Sequence, residues 1–560
     1  MAGPIGPAPL PVTLDAHLIA LPILIPLVAG ALAAVVGGRS RILSRVIGML
    51  AMIAHLVVSI QLYLVADTDL IRVYAMSNWP APFGIVLVLD RLSAVMVLLT
   101  SALGLIGLVY SNAAWSAEGR RFQALWQFQL MGLSGAFLTG DLFNLFVFFE
   151  VLLAASYALL LHGGGRARVG ATLHFVVINL TASAVFLIAV STLYAVTGTL
   201  NMAHLSEAIM QVRADDVGIV AVAGILLLAV FLIKSGLVPF HFWIPASYGS
   251  AAAPVVALVV AKIGAYAILR VYPLIFGAYE GVAGAPAEAL GEMAKPWIIV
   301  LALLTLAVGS AGTLASQTLR QLAAMLTLVS IGTLFLPLGL STQASLSAAS
   351  YYLVHSTIST AVLFLVAEWV GTHRGEQGDR LRPGRPISHP ILIGGALLWA
   401  MITSVGLPPT SGFIGKLMVL DSLTDSDWIG WLWAGILISS FCSLVAVSRA
   451  LSLLLWNSAA DEPGYAADQP VAQTAPQQHL LTPVQGSHAR ARGAVLATAA
   501  ALALSLSLVV NAGQLRHEAE RLAAQIGNRE AYRAAVLGRA RETLEPFLRP
   551  SPAAVQRGRD

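Results

Sequence analysis

An all-α polytopic membrane protein is the fold class this sequence predicts, and three observations predict it. Of the 560 residues, 58% are hydrophobic and only 11% carry charge, against about 25% charged in soluble domains. Apolar runs of about 17 to 25 residues, long enough to cross a hydrocarbon core ~30 Å thick, recur along the chain. Basic residues collect in alternate loops between those runs, the pattern that sets membrane orientation. The mean hydropathy of +0.81 agrees. A pI near 9.2 therefore reflects loop arginines that set topology in a lipid bilayer, and nucleic acid is not expected as a partner.

The runs centre near residues 27, 54, 101, 130, 152, 184, 232, 261, 305, 330, 358, 405, 443 and 502, which gives about fourteen transmembrane helices. No Lys or Arg precedes Arg39, so the first run lacks the basic segment of a cleaved signal peptide and is expected to remain as a helix. Residues 67–90, "DTDLIRVYAMSNWPAPFGIVLVLD", alternate around a Pro-containing turn and read as an extramembrane β-hairpin. The fourth run is the weakest, because "ALWQFQLMG" holds two glutamines. The expected organisation is three helices with the hairpin over 1–121, five-helix units over 122–275 and 296–456, and a polar cytoplasmic loop over 457–493. A last span over 494–512 and an amphipathic tail over 513–560 complete it.

Loop charge assigns the sides. Arg39, Arg41 and Arg45, then Arg120 and Arg121, Arg166 and Arg168, Arg320, Arg374 to Arg385, and Arg490 with Arg492 fall in alternate loops. The intervening loops are poor in basic residues and often acidic, as in "RADD" and "DSLTDSD". The positive-inside rule then leaves both termini outside the cytoplasm. The Arg-rich tail with "QLRHEAERLAAQI" is the exception, and reads as an amphipathic helix lying on the surface or on a neighbour.

Two runs are interrupted. Gly236, Pro239 and Pro245 lie in the seventh, and Gly406, Pro408, Pro409 and Gly412 in the twelfth. Proline removes a backbone hydrogen bond and clashes with the preceding turn, so both helices are expected to break. Broken helices at matching positions point to two inverted five-helix repeats with transport sites beside the breaks; a pair of packing kinks is the plainer reading.

Charges inside apolar runs are the chemical signal. Glu150 lies nine residues past Asp141, roughly 13 Å into the core, where an ionisable group costs on the order of 3 kcal/mol. Lys234 precedes the seventh break, Lys262 sits mid-run in "VVALVVAKIGAYAILR", and Lys416 follows the twelfth break. His355 and, secondarily, His241 add imidazoles. Each alone could be structural, a lysine pairing with a carboxylate or a histidine satisfied in the core. Together they suit a proton relay: desolvation disfavours a buried ammonium and a nearby carboxylate restores it, by roughly 3 kcal/mol at ~6 Å and an effective dielectric of ~20. Such a relay needs hydrated gaps and no cofactor. The single cysteine, Cys442, excludes an internal disulfide and any cysteine-ligated cluster; the sequence names no metal site.

Four stretches, "DLFNLFVFFEVLLAASYALL", "FLIKSGLVPFHFWIPASYGSAAAP", "AKIGAYAILRVY" and "LPPTSGFIGKLMVL", resemble the antiporter-like subunits of respiratory complex I, membrane-bound hydrogenases and Mrp-type cation/proton antiporters. The resemblance spans roughly residues 85 to 455. It implies a fourteen-helix fold with two inverted repeats, a Glu150–Lys234 pair, and a polar axis completed by Lys262 and Lys416. "HFWIPASY" and "AYRAAVLG" are similar to the D-subunit branch of the Mrp antiporters. Two departures stand out: Ser359 where relatives often carry a lysine four residues after the histidine of the eleventh helix, and "TLRQLAAMLT" before the tenth. The first leaves His355 to work with water and hydroxyls such as Ser356 and Thr357.

The resemblance implies a non-enzymatic subunit of a bacterial inner-membrane sodium/proton antiporter, with a large A subunit and small membrane subunits as partners. The alternative is a proton-pumping subunit of a complex I-like or hydrogenase-like complex, and a scaffold with a vestigial axis is a third reading.

Overall fold

The structure is a computed structural model that describes residues 17–114, 119, 121–252, 254–255, 261–277, 286–374, 377–383, 387, 389–456 and 488–548. The basic residues Arg120 and Arg385 and nearly all of the polar loop read over 457–493 lie outside the described residues.

The described residues are mostly helical. Helices α1 (Leu21–Val36), α2 (Arg41–Ala66), α3 (Arg91–Ala114), α4 (Phe122–Leu138), α5 (Leu142–Leu161) and α6 (Arg166–Thr197) are followed by the short α7 (Met202–Ala208). The seventh span is the pair α8 (Val217–Ser235) and α9 (Trp243–Ser250), and α10 (Ala261–Val271) belongs to the eighth. Then come α11 (Pro286–Ala315), α12 (Leu319–Leu340) and α13 (Gln343–His373). The twelfth span is the pair α14 (Pro390–Val405) and α15 (Ser411–Ser422), followed by α16 (Ile429–Leu451) and α17 (His488–Val510). Two tail helices, α18 (Ala512–Gly527) and α19 (Arg529–Leu548), complete the chain. Ten helical segments among the described residues are long and apolar enough to cross a bilayer, and α1 and α14 are shorter apolar helices. The weak fourth run is the fully formed α4, most of whose residues are buried.

Local chemistry starts several helices where the sequence changes character. Ser40, Asp141 and Thr318 accept from the backbone N–H three residues on, and Thr342 with Ser345 forms a reciprocal capping box. Residues 72–75 and 86–89 pair antiparallel as β1 (Arg72–Ala75) and β2 (Val86–Leu89), with Arg72 opposite Leu89. The bundle is layered by burial. In α12 and α13, 89% and 94% of the apolar window is covered, against 28% in α16 and α17. The first pair is the axis of the molecule and the second its rim.

Both breaks have one geometry. Gly236 and Gly406 adopt left-handed φ of +72° and +81°, which glycine alone takes at no steric cost. Leu237 N–H closes back on the Leu232 carbonyl at 3.1 Å, and Leu407 N–H on the Ile402 carbonyl at 3.0 Å, the wide turn that ends a helix on glycine. Pro245 falls in the first turn of α9, where no helical N–H is missed, so it extends the second half instead of breaking it.

The tail docks on its own chain. Arg91, 2% exposed, donates to Asp67, Asp69 and Glu518, and its backbone N–H reaches Gln525. Arg521 donates to Asp67 at 2.7 Å and to Asp69 at 2.8 Å, while Arg533 donates to Ser206 and Arg529 to the Gly277 carbonyl. The tail helices therefore strap the hairpin face, where His17 also meets Tyr74. Buried Arg270 and Asp90 form a bidentate pair beside this face, with Tyr532 of α19 stacked on the guanidinium.

Hydrogen bonds from Arg91, then from Arg521, hold the Asp67 and Asp69 carboxyls below the usual carboxylate value. A lowered folded value stabilises docking above the ordinary carboxylate pKa of about 4, and the stabilisation is lost as pH falls through the lowered values. Limited proteolysis should accordingly find α18 protected at neutral pH and cleaved at acid pH. Arg91→Gln should expose it at neutral pH as well.

Candidate functional site

The six residues singled out from sequence lie at or near the two breaks. Lys234 ends α8 two residues before Gly236 and is 2% exposed. Glu150 of α5 is half-buried and has no direct ion pair with Lys234 among the described contacts. Ser183 of α6 stands between them: its hydroxyl donates to Glu150 Oε1 and accepts from Lys234 Nζ at 3.4 Å. The expected pair is therefore a carboxylate–hydroxyl–ammonium chain, because α6 packs between α5 and α8 and turns one serine inward. The Lys234 ammonium also lies over the Phe149 ring at 5.1 Å, a cation–π contact.

Lys262 on α10 is positioned by glycine. A Cβ at Gly264 would lie 2.2 Å from Ser235 Oγ and 2.5 Å from the Phe231 carbonyl, so the bare Gly264 lets α10 pack directly onto the end of α8. From there Lys262 Nζ donates to Ser330 Oγ of α12 at 3.0 Å. Ser330 opens on a cavity of about 10 Å³, lined also by Thr327, Tyr352, His355, Ser359 and Ser404. That is roughly one water-sized site with several polar partners.

His355 closes the far side of this cavity. Its Nδ1 lies 3.0 Å from Ser411 Oγ at the start of α15. The hydroxyls expected to help it are engaged elsewhere. Ser356 and Thr357 both donate to the Leu353 carbonyl of their own helix, because a helical hydroxyl reaches the preceding turn. Ser411 takes that place. At the position where a lysine was expected, Ser359 pairs with Ser404 at 2.9 Å. Ser404, like Lys234, sits two residues before the glycine of its break, and each meets a serine on the preceding span.

Lys416 of α15 does not reach towards an interface. It is buried, and its Nζ donates to the Val405 carbonyl at 2.7 Å and to Ser440 Oγ at 2.8 Å. Val405 is the last residue of α14, so the ammonium neutralises the negative end of the first half-helix and satisfies a carbonyl freed by the break. Gly412 permits this crowding: a Cβ there would lie 2.3 Å from the Thr403 carbonyl and 3.0 Å from His355 Nε2. His355 thus borders both the cavity that Lys262 reaches through Ser330 and the glycine turn beside Lys416. His241 lies apart in the turn Phe240–Phe242, with no hydrogen bond to the other five among the described residues. Nor, among those residues, do three His, Cys, Asp or Glu side chains gather in a way that could hold a metal.

Sequence reasoning missed Ser183, the Ser330–Ser359–Ser404 cavity and the buried pairs Asp90–Arg270 and Arg320–Glu368, the latter at 3.4 Å. A charged letter in the runs carrying Arg270 and Glu368 was the available signal for the pairs. Nothing in the run around Ser183 marks it.

Broken membrane helices with buried ammonium groups held by serine hydroxyls define a polytopic membrane protein with a polar interior. The chain belongs to the family described as NADH:quinone oxidoreductase/Mrp antiporter, TM, which matches residues 139–443. It is 38% identical over 477 residues to the D subunit of the probable K(+)/H(+) antiporter of Rhizobium meliloti (strain 1021), covering 79% of this chain and 87% of that one. It is 35% identical over 454 residues to the D subunit of the Na(+)/H(+) antiporter of Bacillus subtilis (strain 168), covering 80% and 88%. The fold is similar to a chain of the Mrp complex from Dietzia sp. DQ12-45-1b, with TM-score 0.79, 26% identity, and 94% of this chain and 100% of that one covered. A chain of respiratory complex I from Thermus thermophilus shares the fold at TM-score 0.69 and 23% identity, with 91% and 100% covered.

If Ser183 joins Glu150 to Lys234, its removal and that of the carboxylate should not add. A double-mutant cycle of Ser183→Ala and Glu150→Gln, read by graded SDS unfolding in mixed micelles, should return a coupling of about 0.5–3 kcal/mol. Additive losses would mean that the serine serves only its own helix.

Proposed function

We propose that the chain is the proton-conducting member of a multisubunit monovalent cation/proton antiporter, working with a large A-type subunit and small membrane subunits. Protons pass along Glu150, Lys234, Lys262, His355 and Lys416, and His241 serves at most at an entrance. The single observation that supports this reading is that each of these five groups is hydrogen-bonded to a serine hydroxyl, with a water-sized cavity between Ser330 and His355 at Ser359. Hydroxyls and water can pass protons between groups that never touch, whereas a structural ion pair would need direct contact. The units 122–275 and 296–456 act as two halves, each hinged at its break. By loop charge the Arg-rich face is cytoplasmic and both termini lie outside, in a bacterial cell membrane.

The exchanged cation is sodium or potassium. Relatives of the D-subunit branch are named for both, Na(+)/H(+) in Bacillus subtilis and K(+)/H(+) in Rhizobium meliloti. The redox-complex alternative shares the family description, but beyond it draws on likeness of fold, at 23% identity to the complex I chain.

The test is exchange by inverted membrane vesicles holding the assembled complex, with sodium and potassium supplied separately. Glu150→Gln should abolish proton exchange with whichever cation is active while leaving assembly intact, since the file loses the carboxylate that balances Lys234. Normal exchange by that variant would remove Glu150 from the path.

Lys416 separates relay from scaffold. Lys416→Ala should lose exchange under either role, because the Val405 carbonyl is left without its donor. Lys416→Arg keeps a positive donor that does not release its proton at physiological pH. At matched membrane levels its exchange should stay poor at every pH tested; near-normal exchange would make Lys416 a strut of the break.

A further inference from the structure

A second polar file lies outside the lysine axis, in the N-terminal helices. His55 of α2 is fully buried and touches three other helices. Its Nε2 lies 3.1 Å from the Pro22 carbonyl of α1 and 3.0 Å from Ser134 Oγ of α4, and its Nδ1 lies 2.6 Å from Ser101 Oγ of α3. Ser101 in turn meets Ser59. The Pro22 carbonyl is free because the residue four on is Pro26, which has no N–H to give it. That contact fixes the neutral tautomer: Nε2–H donates to Pro22, and Nδ1 accepts from Ser101.

The same hydroxyl also suits the protonated ring. Ser101 Oγ lies 2.8 Å from the Val97 carbonyl, so its O–H can turn there and leave the oxygen to accept from Nδ1–H. No bond is lost in the exchange. Ser134 gives the other nitrogen an outlet.

From His55 towards the Arg-rich face, α4 presents Gln127 and Gln123 to α2. Gln127 Nε2 donates to the Gly48 carbonyl at 3.1 Å, and Gln123 Nε2 to Asn112 Oδ1 at 2.6 Å. Both glutamines are at least nine-tenths buried, yet neither carboxamide oxygen has a protein donor. An unpaired acceptor inside a bilayer protein costs several kcal/mol unless water reaches it. The two oxygens, with half-buried Asn112 at the outer end, mark about 16 Å of helix length from Gln123 to Ser134.

We propose that His55 is a proton-binding site at the blind end of a water file that enters from the Arg-rich face along Asn112, Gln123 and Gln127. It is separate from the lysine file and does not rest on the transport reading above. The chemistry is one reversible transfer: a water-borne proton joins Nδ1, Ser101 turns to Val97, and a proton leaves from either ring nitrogen. Helices α1 and α4 carry no titratable side chain. On α2 and α3 the titratable groups are Arg41, Arg45, Tyr63, Arg91 and Tyr110, each at least ~10 Å along the helix axis from the level of the ring.

The test is hydrogen exchange at the ring in the full chain, ¹⁵N-labelled at histidine, in lipid bilayers. The His55 signal is identified as the one lost in His55→Gln. After transfer to D₂O, the Nε2 proton should exchange within minutes, and Gln127→Leu should slow it by about tenfold or more. Should Gln127→Leu fail to fold, Gly48→Ala provides the obstruction instead, since its Cβ would lie 2.2 Å from Gln123 Oε1. A ring proton that survives for hours, as in a sealed strut, would overturn the proposal. So would exchange that neither substitution slows.

Discussion

A helix that stops inside a bilayer leaves carbonyls that lipid cannot satisfy, and the organisation of this molecule answers that constraint twice. At the seventh span the stranded end is closed by a left-handed glycine, and the Trp243 indole donates to the Ile233 carbonyl. Thr305 of α11 then receives the Val238 N–H. At the twelfth span the glycine turn recurs, but the donor to the last carbonyl is the ammonium of Lys416. One break is sealed by a neutral ring and the other by a charge. The second seal carries an ionisable group; the first does not.

The same logic arranges the interior. A buried ammonium needs acceptors, and in this chain they are mostly hydroxyls: Ser183 for Lys234, Ser330 for Lys262, Ser440 for Lys416. Carboxylates would bind tighter, and they would also hold each charge in place. Serine gives an acceptor that can rotate and become a donor, so each ammonium is satisfied without being locked to a carboxylate. By contrast, the ion pairs that brace the frame, Asp90 with Arg270 and Arg320 with Glu368, use arginine, whose guanidinium does not give up its proton.

The legible part of this design was the part written in rare letters. Proline and glycine inside apolar runs announced both breaks, and Glu150, Lys234, Lys262 and Lys416 announced themselves by their cost in lipid. Ser183 was not legible, because a serine in a membrane helix ordinarily bonds the carbonyl four residues back, as Ser156 and Ser310 do. Only the packing of α6 shows that this one turns to its neighbours, Glu150 and Lys234. The fourth span looked weak for the opposite reason. Its glutamines lower the hydropathy, yet they are buried against neighbouring helices, Gln127 on Gly48 of α2 and Gln129 on Ser156 of α5. Asp90 and Arg270, 180 residues apart in sequence, could be seen singly and not as a pair.

The docking of the tail has a consequence for how the molecule is made. Arg91 and Glu518 are separated by 427 residues, so a ribosome working at ~5–20 residues per second reaches the second roughly 20–85 s after the first. Throughout that interval Arg91 and the carboxylates of Asp67 and Asp69 lack the partners that the tail brings, and the hairpin stands uncovered. Gln525, Arg529 and Arg533 arrive later still. Closure of this face is therefore a late event: a chain truncated before Glu518 inserts its earlier helices but presents an open, charged surface to whatever inspects nascent membrane proteins.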